Sequence, residues 1–328
     1  MKIKIGWLKN NTRYKLTIKG ITLLFLSGVL VSFLIGELMV RFFVSFPINR
    51  EYLRFECLGY KLISQKARDA QLFWKPIPEF RGESYQEKKE DGVFRIICIG
   101  DSVTQSHGID GFPLPRENTY VFYLEKLLES GYENKKFEVI NAGVGGYSSL
   151  QGVRYLEGKL IKYNPDLVIS WFGINDRGQA VFYNDKQQKL PLKESLEKTG
   201  GSKLYKFIKN YFLIMQYMPR VSYGDYYENC EQMLKLSKKN YFDIVFITPF
   251  EADVHGSLIY LNDYKEALEK LADNYDSTVL DVPPFFKYKA KNMFIDSCHP
   301  DKEGNTVVAE TIYTLLKESG VFDKINSN

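Results

Sequence analysis

Five short apolar segments rich in β-branched residues alternate with segments of helical spacing from residue 93 onward. Runs of this kind are typical of strands buried on both faces of a sheet. The pattern predicts strands at 93–99, 137–140, 166–172, 243–247 and 278–282, and helices at 120–128, 148–163, 262–274 and 302–319. We expect Gly131 to follow the first helix as its C-cap. The alternation as a whole predicts a parallel sheet with helices on both faces.

Polar or glycine-rich segments follow four of these predicted strands, at the edge where such sheets bind their ligands. They are Gly100-Asp101-Ser102, the run from Asn141 to Tyr147, Gly173-Ile174-Asn175-Asp176, and Asp296-Ser297-Cys298-His299-Pro300. Because the carboxyl ends of parallel strands share one edge, we expect the four segments to converge. Each segment alone is a weak signal, whereas their joint order on an α/β sheet is specific.

The first and last of these segments supply the residue types of a nucleophilic triad. A serine hydroxyl is a weak nucleophile without a nearby base, and His299 can take the proton of Ser102. Asp296 can hold the imidazole in the required tautomer and stabilise the imidazolium. Attack on an ester creates an oxyanion, which fixed N–H donors stabilise. The glycines of the second segment and the amide of Asn175 are candidate donors.

Together these segments resemble the SGNH (GDSL-type) hydrolase superfamily over about residues 93–320. The resemblance implies a flavodoxin-like three-layer α/β sandwich with a five-stranded parallel sheet, and acyl-ester chemistry without a cofactor. It implies that Ser102 is the nucleophile, that Gly146 and Asn175 are oxyanion donors, and that Asp296 and His299 complete the triad. Gly145 remains an alternative to Gly146, since a shift of one residue exchanges them.

Further residues resemble a membrane-anchored bacterial branch of that superfamily. They are Thr104, Gly108, Thr119-Tyr120 and Asn164-Pro165-Asp166, whereas His299-Pro300 followed by Gly304 is similar to the ending of the superfamily as a whole. We expect Asp101 and Asp176 to organise backbone turns rather than react. His107, just past the nucleophile, and His255, after the fourth strand, are both expected on exposed loops, although His107 is also close enough in sequence to line the pocket.

The N-terminal part of the chain has the pattern of a membrane anchor. Residues 1–19 are basic and contain no acid, and residues 20–46 form an apolar span that is uncharged from Ile21 to Gly36. About 20 apolar residues cross a bilayer. Glu37 and Arg41 are four residues apart, so on a helix they can pair. The basic tail predicts a cytoplasmic N-terminus and a catalytic domain outside the cytoplasmic membrane.

A cleaved signal peptide is the alternative interpretation of the span. Signal peptides have a shorter apolar region that ends in small residues of the Ala-x-Ala type. The chain has no alanine before Ala67, which favours an uncleaved anchor.

Two segments fit neither the anchor nor the alternation of strands and helices. Residues 47–92 predict a stalk or N-terminal extension that packs on the domain and ends in a charged, solvated turn, so the catalytic domain is taken as residues 93–328. Residues 177–225 form an insertion rich in lysine, glutamine and aromatic residues. Its length is typical of functional loops. A surface insertion of short helices and a lid or substrate platform beside the site both remain open.

Charge and cysteine content exclude several classes of partner. Without the six basic residues of the tail, the net charge of +4 becomes −2, so the folded part lacks the basic face that nucleic acids require. Four cysteines, of which Cys98 lies in an apolar strand, are too few for a disulfide framework. The sequence has no CxxC motif or His/Cys cluster, so we expect no structural zinc site.

These observations favour a membrane-anchored serine esterase that acts on an acylated small molecule or polysaccharide. An O-acyltransferase for a cell-envelope or secreted polysaccharide is the alternative, because it uses the same first half-reaction. A non-catalytic carbohydrate-binding protein of the same fold is a third hypothesis, against which the complete set of site residues argues. The acyl group, the alcohol and the oligomeric state do not follow from the sequence.

Overall fold

The structure of the protein is a computed structural model. Its central sheet consists of five parallel strands. The structure describes residues 3–4, 15–43, 68–69, 71–76, 78–108, 112–180, 184–187, 202, 204–205, 207–208, 218–253 and 255–322. The strands are β1 (Val93–Gly100), β2 (Lys136–Gly143), β3 (Leu167–Trp171), β4 (Asp243–Ile247) and β5 (Thr278–Leu280). All five lie within one or two residues of a predicted strand, except that β2 extends to Gly143.

Five helices cover the two faces of this sheet. They are α1 (Tyr120–Gly131), α2 (Ser149–Gly158), α3 (Tyr223–Asn240), α4 (Asn262–Tyr275) and α5 (Lys302–Glu318). Helices α1 and α5 pack together on one face, and α2, α3 and α4 contact one another on the other. The predicted helix at 148–163 is divided, since α2 ends at Gly158 and a 3₁₀ turn follows over Leu160–Tyr163.

The two faces of the sheet are buried because apolar residues occupy alternating positions on both faces of the strands. In β1, Ile96 and Cys98 belong to the core beneath α1 and α5, whereas Ile97 and Ile99 belong to the opposite core. None of these four side chains is more than 1% exposed. Full burial of each aliphatic side chain stabilises the fold by about 1.5–3 kcal/mol. The predicted three-layer α/β sandwich is therefore confirmed.

The strand order is β2–β1–β3–β4–β5, which is the flavodoxin-like order. The chain leaves β1 to form β2 on one side, then crosses to form β3 on the other, so β1 pairs with both. The loop after β1 leads to α1 on one face of the sheet, whereas the chain after β3 leads to α3 on the other face. In sheets of this order, ligands bind in the crevice at such a switch point.

The position of Gly131 differs from the one predicted from the sequence. It is the last residue of α1 rather than a cap beyond it, and Tyr132 occupies the C-cap position. A Cβ atom at Gly131 would lie 2.0 Å from the hydroxyl oxygen of Tyr313 on α5. The glycine is thus explained by the close packing of α1 on α5, and not by the turn that follows the helix.

The second part of the predicted extension contributes three side chains to the core of the larger unit. Phe73, Trp74 and Phe80 are buried in the core beside α2. The carbonyl of Trp74 accepts a hydrogen bond of 2.6 Å from the Tyr147 hydroxyl. The first part of the predicted stalk, at 47–67, lies outside the described residues.

Several short elements complete the described chain. Paired two-residue strands occur at Ile3–Lys4 with Lys15–Leu16 and at Arg68–Asp69 with Phe73–Trp74, and a hairpin joins Phe250–Ala252 to Leu258–Tyr260. Short helices span Ser102–Gln105 and Ile174–Arg177, and 3₁₀ segments span Glu79–Gly82, Arg116–Asn118, Asp185–Gln187 and Pro283–Asn292.

The chain divides into two compact units, of which the sheet and its helices form the larger, Glu51–Leu192 with Tyr217–Asn328. The smaller unit contains the apolar helix Ile18–Phe43, with a mean hydropathy of 2.3 over its most apolar window. At 1.5 Å per residue, its 26 residues span about 39 Å, enough to cross a bilayer. Length and composition fit a membrane span and also fit a signal sequence near the N-terminus.

Glu37 and Arg41 of this apolar helix form the expected pair, with Arg41 Nε donating to Glu37 Oε1 at 2.9 Å. Glu37 Oε2 also accepts hydrogen bonds from the Ser202 hydroxyl (2.6 Å) and the Leu204 N–H (2.8 Å). Part of the insertion predicted at 177–225 thus contacts the apolar helix within the smaller unit. Most of the centre of the insertion lies outside the described residues.

Gly143, at the end of β2, allows a close approach that a side chain would prevent. A Cβ atom there would lie 2.3 Å from the backbone N of Gln105 and 2.6 Å from the carbonyl carbon of Thr104. Because these neighbours are backbone atoms, they cannot move away at low cost. We predict that Gly143→Ala lowers the free energy of unfolding by about 1–3 kcal/mol or more. Denaturant unfolding of the full-length protein in detergent measures this change.

Gly158→Ala is the matched control, because a Cβ atom at this position of α2 would meet nothing within 4 Å. We expect this variant to be neutral or more stable by up to about 1 kcal/mol, from the helix propensity of alanine. Equal unfolding free energies for the two variants would contradict the packing described for Gly143.

Candidate active site

Ser102 lies at the point where β1 ends and the short helix Ser102–Gln105 begins. Asp101 caps this helix, since its Oδ1 accepts a hydrogen bond of 2.8 Å from the Val103 N–H. The cap satisfies a backbone donor at the helix start and turns the chain sharply after the strand. Ser102 is 8% exposed, so its hydroxyl lies at the crevice rather than in open solvent.

The three predicted triad residues are connected by direct hydrogen bonds. His299 Nε2 lies 2.8 Å from Ser102 Oγ, and His299 Nδ1 lies 2.7 Å from Asp296 Oδ2. Asp296 Oδ1 also accepts the backbone N–H groups of Cys298 and His299, both at 2.9 Å. With Nδ1 carrying its proton toward the carboxylate, Nε2 has a free lone pair that faces the serine hydroxyl.

The loop that carries Asp296 and His299 is held closed at its base. The Ile295 N–H donates to the His299 carbonyl at 2.8 Å, and the Asp301 N–H donates to the Met293 carbonyl at 2.9 Å. Asp301 then caps α5 through the Gly304 N–H, at 2.8 Å. A Cβ atom at Gly304 would lie 2.2 Å from the Met293 carbonyl oxygen, which explains the glycine at this point of the sequence.

Asp296 is held in its ionised form. Partial burial opposes the charge, but hydrogen bonds from the His299 ring and from the N–H groups of Cys298 and His299 hold the pKa of Asp296 well below its ordinary value. A carboxylate in this state can stabilise a charged imidazole next to it without taking the proton itself.

Asn175 is connected through Asp101 to the short helix that begins at Ser102. Its Nδ2 donates to Asp101 Oδ2 at 2.9 Å, which leaves the second hydrogen of the amide available to another acceptor. Asp101 thus caps the helix of Ser102 and orients the Asn175 amide at the same time. Its expected function in organising a turn is present, and its contact with Asn175 is an addition that the sequence did not reveal.

Gly146 lies in the turn that follows β2. The Val144 N–H donates to the Gly100 carbonyl at 3.0 Å, which ties this turn to the end of β1. Gly146 has a φ of +77°, a conformation that favours glycine. Its N–H donates to no described protein group, whereas the Gly145 N–H donates to Gln105 Oε1 at 2.8 Å.

His107 is buried beside the triad, which corrects the expectation of an exposed loop histidine. It is 6% exposed, and its ring stacks on that of His299 with 5.8 Å between centroids. Its Nε2 lies 2.6 Å from Gln105 Oε1, the oxygen that also accepts the Gly145 N–H. Since that oxygen can only accept, Nε2 of His107 carries a proton. His255, in contrast, lies exposed in a turn, as expected.

Asp176 connects the loops after β2 and β3. This fully buried carboxylate accepts from the Ser149 hydroxyl and N–H at the start of α2, and from the Gly173 N–H at 3.2 Å. Burial raises the pKa of Asp176 to about 7, against the opposing effect of the hydrogen bonds from Ser149. As expected, Asp176 organises a turn, and the turn carries Asn175.

One group of described residues has ligand atoms close enough to bind a metal, namely Asp296, Cys298 and His299, within 4.8 Å of one another. Cys298 Sγ lies 3.6 Å from Nδ1 and 3.9 Å from Nε2 of His299, almost equidistant from both. Both ring nitrogens also face triad partners, so the hydrogen bonds of the triad account for the cluster. Burial raises the pKa of the Cys298 thiol well above its usual range, which disfavours the thiolate that a metal would bind.

Sequence reasoning missed two residues that contact the loops of the site. Gln105 holds the Gly145 N–H, and Arg220 donates to the Gly146 carbonyl at 2.8 Å. Gln105 lies three residues after Ser102, and this short spacing is a weak indication that its side chain lies near the site. Arg220 lies in the insertion and has no sequence signal, because its position depends on how the chain returns to the sheet.

A family model for the GDSL-like lipase/acylhydrolase family matches residues 98–307, which include all five predicted site residues. The chain belongs to this family. Membership supports the activity of a hydrolase that acts on ester bonds, and it agrees with the superfamily to which the sequence motifs are similar. No curated protein matches the chain.

Two solved structures are among those to which the chain is similar. The chain is 17% identical to a lipase/acylhydrolase from Enterococcus faecalis, with a TM-score of 0.48 and coverage of 69% of this chain and 96% of that one. It is 21% identical to Axe2, an acetylxylan esterase from Geobacillus stearothermophilus, with a TM-score of 0.46 and coverage of 69% and 94%.

The raised pKa of Asp176 predicts a pH-dependent contribution to stability. In the unfolded chain the carboxyl ionises near its ordinary pKa of about 3.9. Between that pH and about 7 the folded protein keeps a proton that the unfolded chain has released, so the free energy of unfolding due to this group falls as pH rises. Below a pH of about 3.9 and above a pH of about 7, the contribution of Asp176 to the free energy of unfolding does not change with pH.

We therefore predict that the unfolding free energy of wild type, relative to Asp176→Asn, decreases by a few kcal/mol between pH 4.5 and pH 7.5. Denaturant unfolding at several pH values measures this difference. Asp273→Asn, at an exposed position of α4, is the control for the removal of a carboxylate from the surface. A flat profile for Asp176→Asn would show that the carboxyl is ionised throughout.

Proposed function

We propose that this protein is a serine esterase that hydrolyses acyl esters through an acyl-enzyme intermediate. The observation that carries the proposal is the continuous hydrogen-bonded chain from Ser102 Oγ through the His299 ring to Asp296, at 2.8 and 2.7 Å. These distances allow proton transfer in the order that nucleophilic catalysis requires. The family to which the chain belongs supports an ester as the substrate.

In the first half-reaction, Ser102 Oγ attacks the ester carbonyl and His299 Nε2 takes the hydroxyl proton. The ionised Asp296 stabilises the resulting imidazolium. The carbonyl oxygen becomes an oxyanion, and we assign its stabilisation to the N–H groups of Ser102 and Gly146 and to the Asn175 amide. The choice of Gly146 over Gly145 is supported by the hydrogen bond that already occupies the Gly145 N–H.

The tetrahedral intermediate collapses when the carbon–oxygen bond to the alcohol breaks. The alcohol oxygen takes the proton from His299, and the acyl group remains as an ester of Ser102. Water then attacks this acyl-enzyme, with His299 as its general base, and the second collapse releases the acid and restores the serine hydroxyl. Each half-reaction forms one carbon–oxygen bond and breaks one.

We place this chemistry outside the cytoplasmic membrane. The support is the helix Ile18–Phe43, which is long and apolar enough to cross a bilayer, together with the six basic residues that precede residue 20. Basic segments remain on the cytoplasmic side of a span, so the catalytic unit would follow on the opposite side.

The proposal predicts that Ser102→Ala loses hydrolysis of p-nitrophenyl acetate by roughly 10³–10⁶-fold in kcat, because no nucleophile remains to form the acyl-enzyme. Release of p-nitrophenol by the full-length protein in detergent measures the rate. The same variant should no longer react with a fluorophosphonate probe, whereas wild type should carry the probe on Ser102.

Ser130→Ala is the matched control, since Ser130 lies exposed near the end of α1 and hydrogen-bonds only to the local Leu127 carbonyl. It should retain wild-type activity and labelling. Full activity of Ser102→Ala would refute the assignment of the nucleophile.

A further inference from the structure

The turn that carries Gly146 has the hydrogen bond and conformation of a type II turn. The Tyr147 N–H donates to the Val144 carbonyl at 3.1 Å, and Gly146, the third residue of the turn, has a φ of +77°. A type II turn differs from a type I turn by a flip of its central peptide. The N–H of that central peptide belongs to Gly146, so the turn type determines the direction in which this N–H points.

Two contacts hold the peptides on either side of this central peptide. Gln105 Oε1 accepts the Gly145 N–H at 2.8 Å, and Arg220 Nη1 donates to the Gly146 carbonyl at 2.8 Å. The first contact comes from the helix of the nucleophile and the second from the insertion. These two contacts fix the positions of the Gly145 and Gly146 backbone on either side of the central peptide, and so fix the place from which the Gly146 N–H projects.

Arg220 is itself held in a buried network. It is 3% exposed, and its Nη2 donates to Asp185 Oδ2 and to Gln151 Oε1, both at 3.0 Å. The Asp185 side chain is fully buried and also accepts from the Ser148 hydroxyl at 2.7 Å. The guanidinium therefore has three acceptors around it, and the carbonyl of Gly146 is one of them.

The presence of the buried Arg220–Asp185 ion pair is not explained by its contribution to the stability of the fold alone. Desolvation of two charges offsets most of their attraction, so a buried ion pair often stabilises a protein no more than apolar side chains of the same volume. A planar guanidinium with several fixed donors does, however, impose a precise geometry on its acceptors. That property is useful where a backbone group must be held in one orientation.

We propose that Arg220, oriented by Asp185, is a positioning residue that holds the Gly146 backbone in the place required for its N–H to stabilise the oxyanion. Arg220 acts through the Gly146 carbonyl and does not touch the reacting atoms. The inference rests on the proposed function, in which the Gly146 N–H is an oxyanion donor. It also assigns a function to the two ends of the insertion, since Asp185 and Arg220 flank its central part.

The test compares Arg220→Gln with Arg95→Gln in the full-length protein. Arg95 is a matched control, because it is 2% exposed, forms an ion pair with Glu138 and donates to a backbone carbonyl, but lies near the amino end of β1. Both variants should lose stability. Only Arg220→Gln should lose kcat, by about 10–10³-fold with little change in KM, since loss of a whole oxyanion donor costs about 10²–10³-fold.

A second readout separates positioning from a general loss of structure. A peptidyl or alkyl trifluoromethyl ketone forms a tetrahedral adduct with the serine, and its affinity depends on the oxyanion donors. Arg220→Gln should weaken this adduct by the same factor by which kcat/KM falls. Arg220→Lys and Asp185→Asn keep part of the hydrogen-bond network, so their kcat and their affinity for the ketone should lie between those of wild type and Arg220→Gln. These two variants also provide the test if Arg220→Gln does not fold.

The proposal is overturned if wild type is active and the folded Arg220 variants keep its kcat and its affinity for the ketone. It is also overturned if their effect lies in KM alone, or if Arg95→Gln lowers kcat equally. Failure of the proposed function has a different signature, because wild type would then neither hydrolyse esters nor react with a fluorophosphonate at Ser102.

Discussion

The pairing of β1 with both β2 and β3 is the constraint on which the site depends. Parallel pairing places the carboxyl ends of these strands side by side, with Gly100 opposite Gly143 and Trp171. Three loops then leave the sheet from adjacent positions, and two glycines allow their backbones to approach. A Cβ atom at Gly100 would lie 2.6 Å from the Trp171 carbonyl oxygen, so this edge of the sheet accepts no side chain there.

Buried polar groups convert this convergence into a fixed geometry. Asp101 connects the helix of Ser102 to Asn175, and Asp176 connects the turn of Asn175 to the start of α2. Each carboxylate accepts hydrogen bonds from two different segments, so that one loop cannot shift without the other. Networks of this kind rigidify a site when every member has its partners, and they explain why two aspartates adjoin the reactive residues without reacting themselves.

Much of the fold and of the triad could be predicted from the sequence, because local patterns determine them. Apolar β-branched runs determine β1 to β5 in nearly the right places, and Ser102, Asp296 and His299 lie in segments whose order along the sheet is characteristic of the family. Residues with nonlocal partners were not predictable in this way. The local pattern predicts a cap at Gly131, whereas Gly131 lies within α1 next to Tyr313, which is far away in the sequence.

The same reason explains the errors around the site. His107 was expected in solvent, although the loop folds its ring onto that of His299. Arg220 carries no motif, and its importance follows only from the return of the insertion beneath the turn of Gly146.

The formation of an acyl group on Ser102 during turnover tests the central claim most directly. Mixing the full-length protein rapidly with excess p-nitrophenyl acetate should give an initial burst of one equivalent of p-nitrophenol per enzyme if deacylation is the slower step. Peptide mass spectrometry of the acid-quenched sample is the decisive measurement. We expect an acetyl group on the peptide that contains Ser102. A full burst without an acetyl group on that peptide, or an acetyl group on a different residue, would contradict a covalent intermediate on Ser102.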